Sequence, residues 1–406
     1  MAPNAPQTPP ETSPRSSPLA AAGVPCAAGG EKVWILGGGL MGMAVAHALA
    51  CRGVAVRVLS RRRWEAAGFV AAGMLAPHAE GLEGAQLRLG QASLGRIPAW
   101  VAAIEADSGL PCGLRPCGIV VPFRNPLERD AYPTAAWGIP LDRAGLEREV
   151  AGIGPDWRAA LLFAQDGQID SRRLMRALEQ ACRRRGVQFE EGTAVRSLLH
   201  RDGRLTGLRL RQADGTEREL EATRVVLCGG AWSAELLPEL PIFPVKGQML
   251  SRQGPRGALP RVVFGPGTYV VPREDGLLVV GATSEPQAGF TEGLTPAGQK
   301  QLEAGLESLL PEAMRWPPLE RWWGFRPGTP DGGPLLGAGP LEGLWLCSGH
   351  HRNGMLLAAI SADWLAAELG AGQHIPLTAA SGQKSYLPAE AIRSAFSWTR
   401  FRTMPG

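Results

Sequence analysis

The 406-residue chain has almost no lysine: Lys32, Lys246, Lys300 and Lys384 are the whole complement, against 42 lysines and arginines together. Positive charge is carried by arginine, and the net charge of +4 is small for this length. No basic stripe interleaved with aromatics occurs, so the footprint of a nucleic-acid binder is missing. No apolar run approaches the roughly 18 residues of a membrane span, which leaves no candidate for a spanning helix. The seven cysteines are odd in number and form no C-x-x-C pair. Cys112 and Cys117 lie close in sequence, but no clustered histidine joins them. This usage argues against a disulfide framework, offers no metal site, and fits reduced thiols in a cytoplasm. Residues 1–30 are rich in Pro, Ser and Ala without periodicity and are expected to be disordered. They also lack the charged start and long apolar stretch of a signal peptide.

What is present begins with an apolar strand, Val33-Trp34-Ile35-Leu36, running into Gly37-Gly38-Gly39-Leu40-Met41-Gly42. Ala-rich sequence follows at helical spacing through Arg52, and a second apolar run covers 55–59. Strand, G-x-G-x-x-G turn, helix and strand in that order form the dinucleotide-binding unit. Gly37 permits the tight turn, Gly39 lets the backbone approach a pyrophosphate, and Gly42 lets the helix lie close on the sheet. The unpaired N–H groups at the helix start then face the phosphates. The acidic residue that should end the second strand is missing, because the sequence there reads Leu59-Ser60-Arg61-Arg62-Arg63. A serine followed by arginines fits the 2′-phosphate of NADP, and equally a solvated charge run. Ser60 can still hydrogen-bond a ribose hydroxyl. This position leaves the cofactor open.

Further along, 66–77 is a run of small, nearly uncharged residues suited to close packing against a flat ligand. A helix is expected over 85–108, a strand over 118–122, and loop to about 155. Asp170 caps a helix predicted over 171–185 and stopped by Gly186. Strands are expected at 187–189, 193–199, 207–210 and 224–227, the last leading into Cys228-Gly229-Gly230. A β-rich block follows, with a strand at 246–250 and a hairpin of 268–272 with 277–282. Alternation along the hairpin's first strand puts Tyr269 and Val271 on one face. After a helix over 296–310, a second strand–glycine loop–helix closes the core: 344–347, then Ser348-Gly349-His350-His351-Arg352-Asn353-Gly354, then 355–369. Two helix N-termini aimed at one crevice suit a cofactor with two electron-rich ends. NAD needs only the first. FAD has a pyrophosphate and a flavin whose pyrimidine edge gains charge on reduction, so the reading tips to FAD.

Five segments in order then carry a resemblance: Gly37–Gly42, Ala71-Ala72-Gly73-Met74-Leu75-Ala76-Pro77, Pro244-Val245-Lys246-Gly247-Gln248, Gly324-Phe325-Arg326-Pro327 with Thr329-Pro330-Asp331-Gly332, and Gly349–Gly354. Together they resemble the FAD-dependent D-amino-acid oxidase family, and within it the glycine oxidases of thiamine biosynthesis, over about 32–369. The resemblance implies an α/β fold with a Rossmann-like FAD-binding domain (31–84, 161–234 and 323–370). A discontinuous, mainly antiparallel β-sheet substrate domain (85–160 and 235–322) and a C-terminal tail (371–406) complete it. It implies noncovalent FAD, with Leu40 and Met41 at the pyrophosphate turn and Ser60 and Arg61 at the adenosine. Val195 would contact the adenine through its backbone. Ala72, Gly73 and Met74 would line the flavin, and His350, His351, Arg352, Asn353, Gly354, Met355 and Leu356 would wrap its pyrimidine end. Arg326 matches the family's carboxylate-binding arginine, and Tyr269 the tyrosine that helps hold that carboxylate. Ser60 stands where many relatives have Glu, Gly267 where one has His, and Ser284 where one has Met.

What the resemblance implies about activity is oxidation of glycine, or of sarcosine or small D-amino acids, by FAD and O2. The products would be glyoxylate or the 2-oxo acid, ammonia and hydrogen peroxide. Tyr269, Arg326 and Arg352 are the candidate catalytic residues. A homo-oligomer, tetrameric by resemblance, and a thiazole-forming partner enzyme are also implied. An NADP dehydrogenase, suggested by residues 60–63, and a non-enzymatic flavoprotein remain as alternatives.

Overall fold

The computed structural model describes residues 32–371 and 389–402; the N-terminal segment expected to be disordered lies outside them. A six-stranded sheet runs in the order Leu335–Ala338, Leu344–Ser348, Val225–Leu227, Val33–Leu36, Val56–Ser60, Gln188–Glu191. All neighbours are parallel except the first pair. Its central strands are buried on both faces, which is why they read as unbroken apolar runs rather than alternating ones. Val33 and Ile35 face a core built from the helices Leu40–Ala50, Gly84–Ser108, Ser171–Arg184 and Gly354–Glu368. Trp34 and Leu36 face the other side, where Leu205, Leu208 and Leu210 of a three-stranded antiparallel sheet cover them.

The second body is an eight-stranded sheet: Pro318–Gly328, Phe243–Gln253, Leu277–Gly281, Thr268–Pro272, Val262–Gly265, Ile119–Phe123, Ala159–Phe163, Ile139–Leu141. It is antiparallel except for one parallel pair, Val262–Gly265 with Ile119–Phe123. Period-2 alternation divides its side chains. Val120, Leu250, Val270 and Val280 pack under the helix Pro296–Leu309, whereas Ile119, Met249, Val271 and Tyr269 face the other way.

Two expected domain boundaries fall inside strands of this sheet. The break at 160/161 cuts Ala159–Phe163, and the break at 322/323 cuts Pro318–Gly328. Both strands pair along their length within the eight-stranded sheet, so neither break coincides with a change of sheet. The stretch read as loop to 155 contains the helices Pro126–Asp130 and Arg143–Glu149 and the strand Ile139–Leu141. Within the C-terminal tail, the helix Ala389–Phe396 docks on the first body through buried Ile392 and Phe396.

Candidate active site

A cavity of about 470 Å³ runs between the two bodies, within the range of small-molecule sites. One end is the glycine turn. Gly37 has φ +113°, and a Cβ there would lie 2.3 Å from the Cys228 carbonyl oxygen. Only glycine fits, so the backbone of the first turn lies bare against the strand end from residue 228. Gly42 does not line the cavity. A Cβ on it would stand 1.8 Å from the Gly37 oxygen, so its part is to let the helix sit on the turn. The helix Leu40–Ala50 has no side-chain cap and no acid in its first turn. Its orphan N–H groups are free for an anion.

The second helix start, Gly354–Glu368, is likewise uncapped by a side chain and free of first-turn acids. His350, His351, Arg352, Gly354 and Met355 line the cavity beside it, while Asn353 and Leu356 do not. Asn353 accepts from Leu357 N at 2.8 Å as a backbone cap, and Leu356 is buried beneath the helix. His350 is buried, its Nε2 lies 3.0 Å from Ser361 Oγ, and its Nδ1 has no partner. Burial lowers its pKa to about 3, so the ring is neutral and has one polar atom left for a ligand. His351 is held at about 4 by burial and by the charges of Arg326 and Arg352.

Between these ends, Ala72, Gly73 and Met74 form a bare wall. Gly73 has φ +89°, and a Cβ on it would meet the Ile169 oxygen at 1.9 Å. Ser60, Arg61 and Val195 line the far end of the cavity. The arginine run there has carboxylate partners throughout. Arg61 pairs with Glu235 at 3.6 Å, Arg62 with Glu65 at 2.9 Å, and Arg63 with Glu179 and Glu191 at 2.8 and 3.0 Å. A 2′-phosphate would have to compete with each of them, which weighs against NADP.

At the opposite side the eight-stranded sheet contributes Arg326 and Tyr269. Arg326 Nη1 donates to the Thr283 carbonyl at 3.0 Å. Its guanidinium lies over Gly247, where a Cβ would come within 2.3 to 2.7 Å of Nη1, Nη2 and Cζ. A side chain at this diagonal cross-strand position would push the guanidinium aside. Tyr269 stands opposite Gly281, and burial raises its pKa against the lowering pull of Arg326, so the hydroxyl keeps its proton.

A residue missed in the sequence completes this end: Glu80. Its side chain is 5% exposed and forms an ion pair with Arg352 at 3.1 Å. Burial raises its pKa, with Arg352 and Arg326 pulling it down and Asp166 pushing it up. Its loop is fixed from below. Asp166 accepts from the backbone N–H of His78 and Ala79 at 3.2 and 2.8 Å, and its other oxygen sits 2.6 Å from His78 Nδ1. Arg352, expected at the pyrimidine edge of a flavin, is thus 47% exposed and turned toward Glu80.

Uncapped helix starts, glycine positions that a Cβ would fill, and an unpartnered buried imidazole nitrogen fit a long anionic dinucleotide with a flat ring. Residues 32–368 match the family described as DAO, FAD dependent oxidoreductase. The chain belongs to that family. FAD is the cofactor that this family uses, and the D-amino-acid oxidase fold is its architecture. The "Bifunctional protein ThiO/ThiG" of Synechocystis sp. is 43% identical over 81% of this chain and 50% of its own length. A "Glycine oxidase" of Pseudomonas aeruginosa is 32% identical over 83% of this chain and 94% of its own. The solved glycine oxidase from Geobacillus kaustophilus superposes with a TM-score of 0.80 at 26% identity, covering 93% of this chain and all of that one. The chain spans about half the length of the bifunctional relatives it matches. Among the described residues, no helix of this family member is long and apolar enough to cross a membrane.

Proposed function

We propose that the chain oxidises glycine to its imine with FAD and O2, releasing hydrogen peroxide, and that water then hydrolyses the imine to glyoxylate and ammonia. The observation that carries this reading is the cluster at one end of the cavity: Arg326 over Gly247, the protonated Tyr269 and the buried Glu80 paired with Arg352. Glycine offers little besides a carboxylate and an amine, and this end offers a partner for each.

Arg326 spends one N–H on Thr283 and keeps others for a two-point grip on the substrate carboxylate. The Tyr269 hydroxyl adds a hydrogen bond to the same group. Glu80 faces the amine; as a carboxylate with a raised pKa it takes the ammonium proton more readily than an exposed glutamate. FAD, when bound by the glycine turn and by residues 72–74, 350–352, 354 and 355, supplies the hydride acceptor. Holding the substrate in line in the shared crevice supplies several kcal/mol of barrier reduction, of order 7 or more in favourable cases.

Sarcosine is a second reading, favoured by Gly267. That residue lines the cavity, and a Cβ built on it meets nothing within 4 Å, so room exists for a larger amine. The relatives named ThiO/ThiG support a thiazole-forming enzyme as partner, and the free cysteines among the described residues support a cytoplasmic setting. Homo-oligomerisation rests on the family resemblance and is read by light scattering.

The test is glycine-dependent peroxide formation beside FAD content. Arg326→Ala strands a carboxylate in a desolvated site, which costs about 2–5 kcal/mol. Turnover per encounter should fall roughly 30-fold or more, each ~1.4 kcal/mol being tenfold. The flavin spectrum should stay intact. Near wild-type activity in Arg326→Ala would end this assignment, and a comparison of glycine with sarcosine ranks the two readings.

A further inference from the structure

His47 and Cys51 stand one turn apart near the end of the helix Leu40–Ala50, Cys51 being its C-cap, and Asp107 lies in the last turn of Gly84–Ser108. Their donor atoms face one another: His47 Nε2 to Asp107 Oδ2 is 2.8 Å, Cys51 Sγ to His47 Nε2 is 3.6 Å, and Cys51 Sγ to Asp107 Oδ2 is 3.8 Å. We propose that these three side chains form a binding site for a single zinc-class divalent ion, with water as the fourth ligand.

The distances carry the argument. A tetrahedral zinc with Zn–S of about 2.3 Å and Zn–N and Zn–O of about 2.0–2.2 Å holds its donors roughly 3.4–3.6 Å apart. The triangle found here meets that with adjustments of about 0.6 Å or less. The ligand set is soft and borderline, which selects zinc or cobalt over magnesium or calcium. His47 is 4% exposed at its side chain. Cys51 is exposed, so the ion has an entry path.

The helix ends at this corner favour a cation, against the positive charge of Arg185. Three helices end at this corner, since Arg185 caps the C-terminus of Ser171–Arg184 and reaches the same carboxylate. Helix C-termini carry partial negative charge. Arg185 Nε and Nη2 contact Asp107 Oδ2 and Oδ1 at 2.8 and 2.5 Å. An ion on Oδ2 displaces Arg185 Nε from that oxygen and leaves Nη2 on Oδ1, which then orients the ligating carboxylate. Binding displaces the thiol proton to solvent and moves the imidazole proton from Nε2 to Nδ1. The first helix is 11 residues long, so the site lies about 16 Å from the glycine turn. It is therefore outside the catalytic machinery.

The test uses the flavin-loaded protein, stripped with a chelator and titrated with Zn²⁺ against a chromogenic competitor. Wild type should bind one equivalent per chain, and Cys51→Ser and His47→Asn should each weaken binding about tenfold or more. FAD content reports that each variant is folded. In parallel, Zn²⁺ should slow the reaction of a disulfide reagent with the thiol that Cys51→Ser removes. Equal zinc binding in wild type and both variants, or no stoichiometric binding in wild type, overturns the proposal and leaves an adventitious ion only.

Discussion

Arg326 can lie where it does because the neighbouring strand carries no side chain at Gly247. Gly247→Ala would place a methyl within 2.3 Å of the guanidinium. We expect it to displace Arg326 and cut glycine kcat/KM at least tenfold while FAD absorbance is retained. Tyr269→Phe should cost about 1 kcal/mol, because one hydrogen bond goes without stranding a charge. Glu80 invites a test in which stability and activity part company. An acid whose folded pKa is raised holds its proton more tightly when folded, so stability falls as pH climbs from the ordinary carboxylate range through the folded value. Glu80→Gln removes that cost. The drop in Tm between pH 5 and pH 8 should be smaller than in wild type, while glycine turnover falls; an unchanged Tm difference would show that burial does not strain this carboxyl. Sequence reading reached Arg326 and Tyr269 through a family resemblance and missed Glu80, a lone acid after a run of small residues. Nothing in its spacing marks it. Its meaning comes from Arg352, 272 positions away in the chain, and from the Asp166–His78 pair that fixes its loop. The same limit hid the cluster at His47 and Cys51, although their i, i+4 spacing was readable once a third ligand was sought elsewhere.

Elements with a capping or turn signature were legible. The helix Ser171–Arg184 begins where Asp170 accepts from Arg173 N at 3.0 Å, and Asp170→Ala should cost about 1 kcal/mol, read by urea unfolding. The hairpin Thr268–Pro272 with Leu277–Gly281 follows from its alternation and its turn. By contrast, Glu217–Glu221 is a strand of almost wholly charged residues on an exposed edge, so it offers no apolar period to read. Ala159–Phe163 and Pro318–Gly328 pair with strands far away in sequence, and only that pairing assigns them to the second sheet. The contact of Gly42 with the glycine turn gives the sharpest prediction at this scale. Gly42→Ala puts a carbon 1.8 Å from a carbonyl oxygen and must separate helix from turn. Protein that folds should come without flavin, measured as the 450 nm to 280 nm absorbance ratio.

At the scale of the whole molecule, the cavity is shared by two bodies, and its lining includes residues from 36 to 355. A ligand that binds only the closed crevice stabilises the entire fold by RT ln(1 + [L]/Kd), about 2.7 kcal/mol at a hundredfold excess over Kd. Stripped protein should therefore gain Tm on adding FAD and gain none with NADP, whose 2′-phosphate would meet arginines already paired with glutamates. A rise with NADP instead would reverse the cofactor assignment. The junction of Gly37 with the Cys228 carbonyl has a consequence in time as well as space. The strand that leads into this carbonyl, Val225–Leu227, sits between Val33–Leu36 and Leu344–Ser348 and pairs with both. During synthesis the first glycine turn emerges early, yet the wall it needs arrives some 190 residues later, and the strand that covers that wall later still. At ribosomal rates of about 5–20 residues per second, the nascent chain spends many seconds with one edge of an apolar parallel strand open, its other edge being paired with Val56–Ser60. Cofactor capture must therefore be a late event in biogenesis, and the newborn chain depends on protection of that open strand until its last sheet neighbour has left the ribosome.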